Sequence, residues 1–342
     1  MPSNTGEVLS RVDGTVGVVT LNRPRAINAL THSMITTLHP VLTQWAENPA
    51  ITAVVVNGAG TRGLCAGGDV VAIYHSARNG GADARRFWYD EYRLNALISK
   101  YPKPYVALMD GVVMGGGVGI SAHGNTRIVT DRSMVGMPEV KIGLIPDVGG
   151  TYLLARAPGL LGLHAGLTGA PFTGADAIAM GFADHFVPHD RLTDLTRAII
   201  TDGVPAALAT YATEPPSSNL AAQQKWIDHC YAGDTVADIL AELRGHHCGP
   251  ANAAADVIAC QSPIAVSVTL QAIRQAANLD NLEDVLEQEY RTVCASLKSH
   301  DLVEGIRAQL VDKDRNPRWS PASIADITAQ DVAAYFEAEV DA

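Results

Sequence analysis

Three short strand-like runs in the first third of the chain, each stopped by a turn-forming sequence, most constrain the fold. Val16–Leu21 alternates and is rich in β-branched residues, and Asn22-Arg-Pro-Arg25 breaks it. Ala53-Val-Val-Val56 reads as a short buried strand that ends in Asn57-Gly58, and Tyr105–Met109 as another that ends in Asp110-Gly111. Between the first two, Thr31 is placed to cap an amphipathic helix reaching about Trp45. Strands alternating with helices predict an α/β arrangement. From about Leu192 the chain changes character, becoming rich in Ala, Glu, Gln and Leu with few β-branched runs, and predicts helices joined by short breaks. Ser262-Pro263 marks one helix start, Asn281 caps a helix over Leu282–Ser296, and a further helix is expected from Asp301 to Leu310. We divide the chain into a core over residues 1–200 and a helical region over 201–342, with no internal repeat and no low-complexity linker.

Length and charge narrow the function. A chain of 342 residues can bury a sizeable core. A net charge of -11 argues against a nucleic-acid-binding surface, so an anionic ligand requires a local basic patch. The apolar stretches are broken well short of the roughly 20 residues that a membrane span needs. Met1-Pro-Ser-Asn-Thr-Gly-Glu7 lacks the basic start and apolar run of a signal peptide, which gives the expectation of a cytoplasmic chain or one supplied in mature form. The five cysteines, at 65, 230, 248, 260 and 294, show no CxxC and no zinc spacing, so free thiols and no metal site are expected. His229-Cys230 and His246-His247-Cys248 lack the carboxylate or second pair that would complete a metal site.

The chemistry concentrates in three segments. Met137-Pro-Glu-Val-Lys-Ile-Gly-Leu-Ile-Pro-Asp-Val-Gly-Gly150 sets Glu139 and Asp147 in apolar, glycine-rich surroundings, where an unpaired buried charge is costly. Each follows a proline that helps fix its place, and a carboxylate in a pocket poor in charge is suited to acid or base work. The bland alternative is a pair of surface carboxylates. Cys65-Ala-Gly-Gly-Asp69 and Met114-Gly-Gly-Gly-Val-Gly119 are loops whose backbone can approach a ligand and donate N–H groups. The second leads into Val118–His123, read as helical, and a helix start is where an oxyanion is best stabilised. Equally, a glycine triplet serves as a tight turn. Asp69 reads as a helix cap and Cys65 as a small buried residue, since no His partners it. Arg23 and Arg25 flank Pro24; forked guanidinium donors suit phosphates, and solvated charge is the plainer explanation. Two donor loops with two carboxylates read as a site for acyl chemistry.

Leu21-Asn-Arg-Pro24, Cys65-Ala-Gly-Gly-Asp69, Gly115-Gly-Gly117, Pro138-Glu139 and Gly143-Leu-Ile-Pro146 with Gly149-Gly150 together resemble the crotonase, or enoyl-CoA hydratase/isomerase, superfamily. The resemblance covers roughly residues 6–200. It implies an α/β spiral of ββα turns followed by a helical region, and an acyl-CoA thioester as ligand. It also implies that the N–H groups of Gly68 and Gly116 form the oxyanion hole.

Hydratases of the superfamily use two glutamates, one of them two residues beyond the glycine triplet. That position is Gly119 here, while Asp147 stands where hydratases usually carry glycine. The combination resembles the 3-hydroxyisobutyryl-CoA hydrolase branch, thioesterases of valine breakdown. Further matches are Asp90-Glu-Tyr92, Ile145-Pro-Asp147, Glu289-Tyr-Arg291, His300-Asp301, Glu304-Gly-Ile-Arg307 and Asp312-Lys-Asp-Arg315. The branch usually carries Phe where Leu64 stands. This resemblance implies that Glu91, Gly116, Glu139 and Asp147 line the substrate site. Glu139 acts there as general base or as nucleophile, and Asp147 orients Glu139, the water or the substrate's hydroxyl. Arg23 and Arg25 are guesses for the CoA phosphates. No separate cofactor is expected, since CoA is part of the substrate. The alternatives are an enoyl-CoA hydratase or isomerase and, in a different class, a catalytically silent acyl-CoA-binding protein. Crotonase relatives often form trimers or hexamers, so homo-oligomerisation is left open.

Overall fold

The computed structural model describes residues 6–338. Its strands are β1 (Val8–Asp13), β2 (Val16–Leu21), β3 (Ala53–Gly58), β4 (Tyr105–Met109), β5 (Val112–Met114), β6 (Thr126–Val129), β7 (Met134–Gly136), β8 (Phe172–Thr173) and β9 (His185–Phe186). The contacts gather into two units. One comprises the stretches up to Gly68, Asp90–Val135 and Phe172–Ser218; the other comprises Asp69–Tyr89, Gly136–Pro171 and the chain from Asn219 on.

The first unit is built on a six-stranded sheet of order β1-β2-β3-β4-β6-β9. The β1–β2 pair is an antiparallel hairpin, and the remaining pairs are parallel. A helix, His32–Glu47, carries the chain from β2 to β3, as a parallel pair requires. Thr31 caps it by accepting from the Met34 amide. The register sets Val18 opposite Val55, and Val55 opposite Val106. One face therefore presents a continuous apolar row that includes Val16, Val18, Val55, Val106, Leu108 and Ile128. Leu195, Ile199, Val204 and Ala207, from the helices Leu192–Asp202 and Val204–Tyr211, close over that row. Strands buried on both faces read as unbroken Val-rich runs, which is why Ala53–Val56 shows no alternation.

The second unit is largely helical. Its helix Pro263–Ala276 is buried at most positions, which suits an element surrounded by others rather than one lying at the surface. Ser262 caps it, and Asn281 caps Leu282–Ser296, at the boundaries the sequence sets. The last predicted helix is shorter than its pattern: His300–Ile306 is α-helical and Arg307–Val311 widens into a π turn. The helix expected over Val118–His123 is also corrected. The helical turn spans Gly116–Gly119 only. Beyond it the Tyr105 hydroxyl donates to the Ile120 carbonyl and the Ser121 hydroxyl to the Gly117 carbonyl, which draws those acceptors into side-chain bonds. Among the described residues no single helix is long and apolar enough to cross a membrane.

Candidate active site

In the first unit, the two glycine loops are laced together by backbone bonds. The Leu64 amide donates to Asp110, Cys65 to Val112, and Met114 back to Cys65. Leu30 pairs with the same loop through a bond from its amide to the Gly67 carbonyl. This lacing brings the loop ending in Gly68 against Gly116. A Cβ added at Gly116 would lie 3.3 Å from the Gly68 nitrogen and 2.7 Å from Glu91 Oε1. Gly116 is the first residue of its helical turn, so its amide has no intrahelical acceptor. The Gly68 nitrogen, Gly116 and the buried Glu91 carboxylate thus share one small space, which only a glycine at 116 leaves open.

Cys65 lies in the same loop and is fully buried. Burial pushes its thiol up to about 12, and its Sγ donates to the Gly67 carbonyl at 3.5 Å. A thiol held protonated and tied to the backbone is a packing residue, not a nucleophile. Asp69 caps the helix Val70–Ala77, accepting from the Ala72 amide at 3.4 Å. Arg23 is tied to Glu7 at 3.1 Å and to the Ala29 carbonyl. Arg25 lies exposed in the turn Pro24–Ala26, whose carbonyls at 24 and 25 accept from Arg62.

In the second unit, Glu139 opens a 3-10 turn, Glu139–Ile142, directly after Pro138. The turn closes at Gly143 (φ +73), where the Leu144 amide returns to the Glu139 carbonyl. A Cβ at Gly143 would lie 2.3 Å from the Asp301 carbonyl oxygen, so the start of helix His300–Ile306 seats directly on the turn. Asp301 is itself buried and accepts from the Ser262 hydroxyl and the Ser320 amide. Glu139 is 7% exposed and Asp147 6%, so neither is a surface carboxylate. Lys141, half-buried beside Glu139, has its ammonium pushed down by burial, while the Glu139 charge works the other way.

Asp147 begins a tight turn. The Gly150 amide donates to the Asp147 carbonyl at 2.7 Å, and the two central residues, Val148 (φ +55) and Gly149 (φ +76), are both left-handed. Positive φ at both central positions defines a type I′ turn, which favours Asn, Asp or Gly and is unusual for a β-branched residue. A buried carboxylate, Glu289, holds this turn. Its Oε2 accepts from the Gly149 amide at 2.6 Å, and its Oε1 accepts from the Thr151 amide at 2.9 Å and the Thr151 hydroxyl at 2.5 Å. Glu289 belongs to the Glu289-Tyr-Arg291 match, which by itself points to no role, because its partners lie about 140 positions away in the chain.

Burial raises the Glu289 carboxyl from 4.5 to about 8, with its three donors opposing and the Asp147 charge adding. The native state therefore holds this proton more tightly than the unfolded chain does. Its contribution is complete below about pH 4.5 and is lost as pH rises toward 8. Urea unfolding should accordingly show stability falling between pH 5 and pH 8.5, by on the order of 2–4 kcal/mol from this group. The Glu289→Gln variant should flatten that slope, and an unchanged slope would exclude Glu289 as its source.

Comparison with known proteins places this geometry. The family described as "Enoyl-CoA hydratase/isomerase" matches residues 16–336. A Rattus norvegicus relative named "3-hydroxyisobutyryl-CoA hydrolase, mitochondrial" is 38% identical over 346 residues, covering 98% of this chain and 90% of the relative. A crystal structure described as a carnitinyl-CoA dehydratase from Mycobacterium thermoresistibile is 66% identical with a TM-score of 0.96, covering 98% of this chain and 97% of that one. Another, described as an enoyl-CoA hydratase from Rhodobacter sphaeroides 2.4.1, is 39% identical with a TM-score of 0.92 and covers 97% of each chain. With a ββα core, an extended helical region and a match over nearly its full length, the chain belongs to the enoyl-CoA hydratase/isomerase (crotonase) family.

Proposed function

We propose that the chain is an acyl-CoA thioester hydrolase that cleaves 3-hydroxyisobutyryl-CoA to 3-hydroxyisobutyrate and free CoA, a step of valine breakdown. The observation that carries this reading is the pairing of Glu139 with a second buried acid, Asp147, while Gly119 occupies the position where hydratases carry their other glutamate. Relatives at 35–39% identity that bear the hydrolase name support it.

In this mechanism the Gly68 and Gly116 amides bind the thioester oxygen and stabilise the negative charge it gains on attack. Glu139 takes a proton from water as it adds to the carbonyl, or adds directly and is released by water from the anhydride. On either route the tetrahedral adduct expels the CoA thiolate, and on the second this loss forms the anhydride that water then cleaves. Asp147 orients Glu139, the water or the substrate's 3-hydroxyl, and Glu91 binds that hydroxyl. Arg23 and Arg25 serve the CoA phosphates. Water is the only co-substrate this chemistry consumes, so no metal or separate cofactor enters the scheme.

A second reading, addition or removal of water at the acyl chain, is favoured by the descriptions of the two solved structures and by Glu91, a buried carboxylate at the Gly116 loop. Release of free thiol separates the two. The purified chain should liberate CoA from 3-hydroxyisobutyryl-CoA with a kcat/KM at least about 100-fold above that for crotonyl-CoA, within the discrimination a hydrogen-bonded hydroxyl supports. Equal values would remove the specificity, and no thiol from either would favour the second reading.

A further inference from the structure

We propose that Glu289 is a positioning residue that sets the direction of the Asp147 side chain by clamping the turn that follows it. The inference rests on the hydrolase reading for its kinetic part and on geometry alone for the clamp. A type I′ turn at Asp147–Gly150 requires left-handed backbone at Val148, a residue whose branched Cβ makes that conformation costly, about 1–3 kcal/mol. Relaxation of Val148 to negative φ would rotate the peptide planes on either side and swing the Asp147 carboxylate. Gly149 takes the second left-handed position freely, so the cost falls on Val148, and the peptide that follows it is bonded from outside the turn. Glu289 supplies that bond.

The Glu289 carboxylate comes from a different helix, Leu282–Ser296, and is fully buried. Its bond to the Gly149 amide fixes the peptide immediately after Val148, and its two bonds to Thr151 fix the first turn of helix Gly150–Arg156. That helix has Gly149 at its N-cap with no side chain to cap it, so the distant carboxylate also does the capping. A purely structural cap would need only the Thr151 bonds. The additional bond to Gly149, next to the strained residue, is what ties the clamp to Asp147. Glu289 thus bonds the amide two residues after Asp147, on the same short turn.

The clamp predicts how variants combine. Glu289→Gln keeps the shape, but its NH₂ group cannot accept a hydrogen bond as either oxygen of the acid can, so one anchor is lost. It should lower kcat on 3-hydroxyisobutyryl-CoA about tenfold or more, with KM changed less than about threefold. Val148→Gly removes the strain, since glycine adopts positive φ freely, and should restore most of that kcat in the Glu289→Gln background. In an Asp147→Asn background, Glu289→Gln should cost less than about twofold further, because its effect runs through Asp147. Thr151→Val, which deletes one donor and keeps the fold's packing, should give a smaller loss of the same kind. Amide exchange at Gly149 and Thr151, followed by mass spectrometry or NMR, reads the clamp without substrate and should quicken in Glu289→Gln. Unchanged exchange, a kcat loss that Val148→Gly leaves untouched, or full additivity with Asp147→Asn would each overturn the proposal. Wild-type protein that releases no CoA while the exchange result holds would instead sink the hydrolase reading and leave the clamp standing.

Discussion

Glu139→Gln should lower kcat for thioester hydrolysis by about 10²–10⁴-fold while leaving acyl-CoA binding nearly intact. That range is what a positioned general base contributes, and the upper end corresponds to about 5 kcal/mol of lost transition-state stabilisation. The amide has the same shape, so the 3-10 turn that carries it, closed at Gly143 and seated against Asp301, should survive. Circular dichroism and thermal melting would show this directly. A fall in kcat and kcat/KM together, with unchanged affinity by calorimetry, is the signature of a group that acts only in the transition state. Near-normal turnover in a folded variant would remove Glu139 from the mechanism. It would also revive the silent acyl-CoA-binding alternative if the wild-type chain were equally slow.

The second large effect is expected at Gly116. A methyl group there would sit 2.7 Å from Glu91 Oε1, closer than carbon and oxygen tolerate, and 3.3 Å from the Gly68 nitrogen. Either Glu91 or the loop must move, and any movement of the loop separates the two amides that are meant to converge on one oxygen. Loss of one oxyanion donor costs about 10²–10³ in kcat, so Gly116→Ala should fall in that range. Pairing it with Glu91→Ala gives a control: relieving the clash should recover part of kcat if crowding displaced the loop. A Gly116→Ala enzyme with wild-type kcat would mean that this amide is not an oxyanion donor.

The parts of the fold legible in the sequence are those set by neighbours a few residues apart. Thr31, Asp69, Ser262 and Asn281 are caps because each side chain reaches an amide three positions on, and the structure finds all four in that role. Tyr105–Met109 forms β4 over the residues its apolar run marks. Cys65 as a buried, inert thiol follows from the absence of a histidine motif beside it, and its burial agrees. What the sequence could not show depends on contacts across long chain separations. The helix after Gly115 stops at Gly119, and Tyr105, which takes the next carbonyl, lies in a different element. The left-handed Val148 is invisible to propensity, since a valine argues for extended backbone, and the bond that Glu289 makes to the next amide comes from a helix about 140 positions away. Likewise Asp301, in the His300-Asp301 match, and Ser262, at a helix start, bond to one another beneath the Glu139 turn.

The most direct test is to run the reaction in H₂¹⁸O with 3-hydroxyisobutyryl-CoA and crotonyl-CoA offered separately, and to weigh the products by mass spectrometry. The hydrolase account predicts free CoA and 3-hydroxyisobutyrate with one heavy oxygen in its carboxylate, and crotonyl-CoA recovered unlabelled. Crotonyl-CoA converted to a thioester with heavy oxygen on its acyl chain, with no free CoA from either substrate, would contradict it.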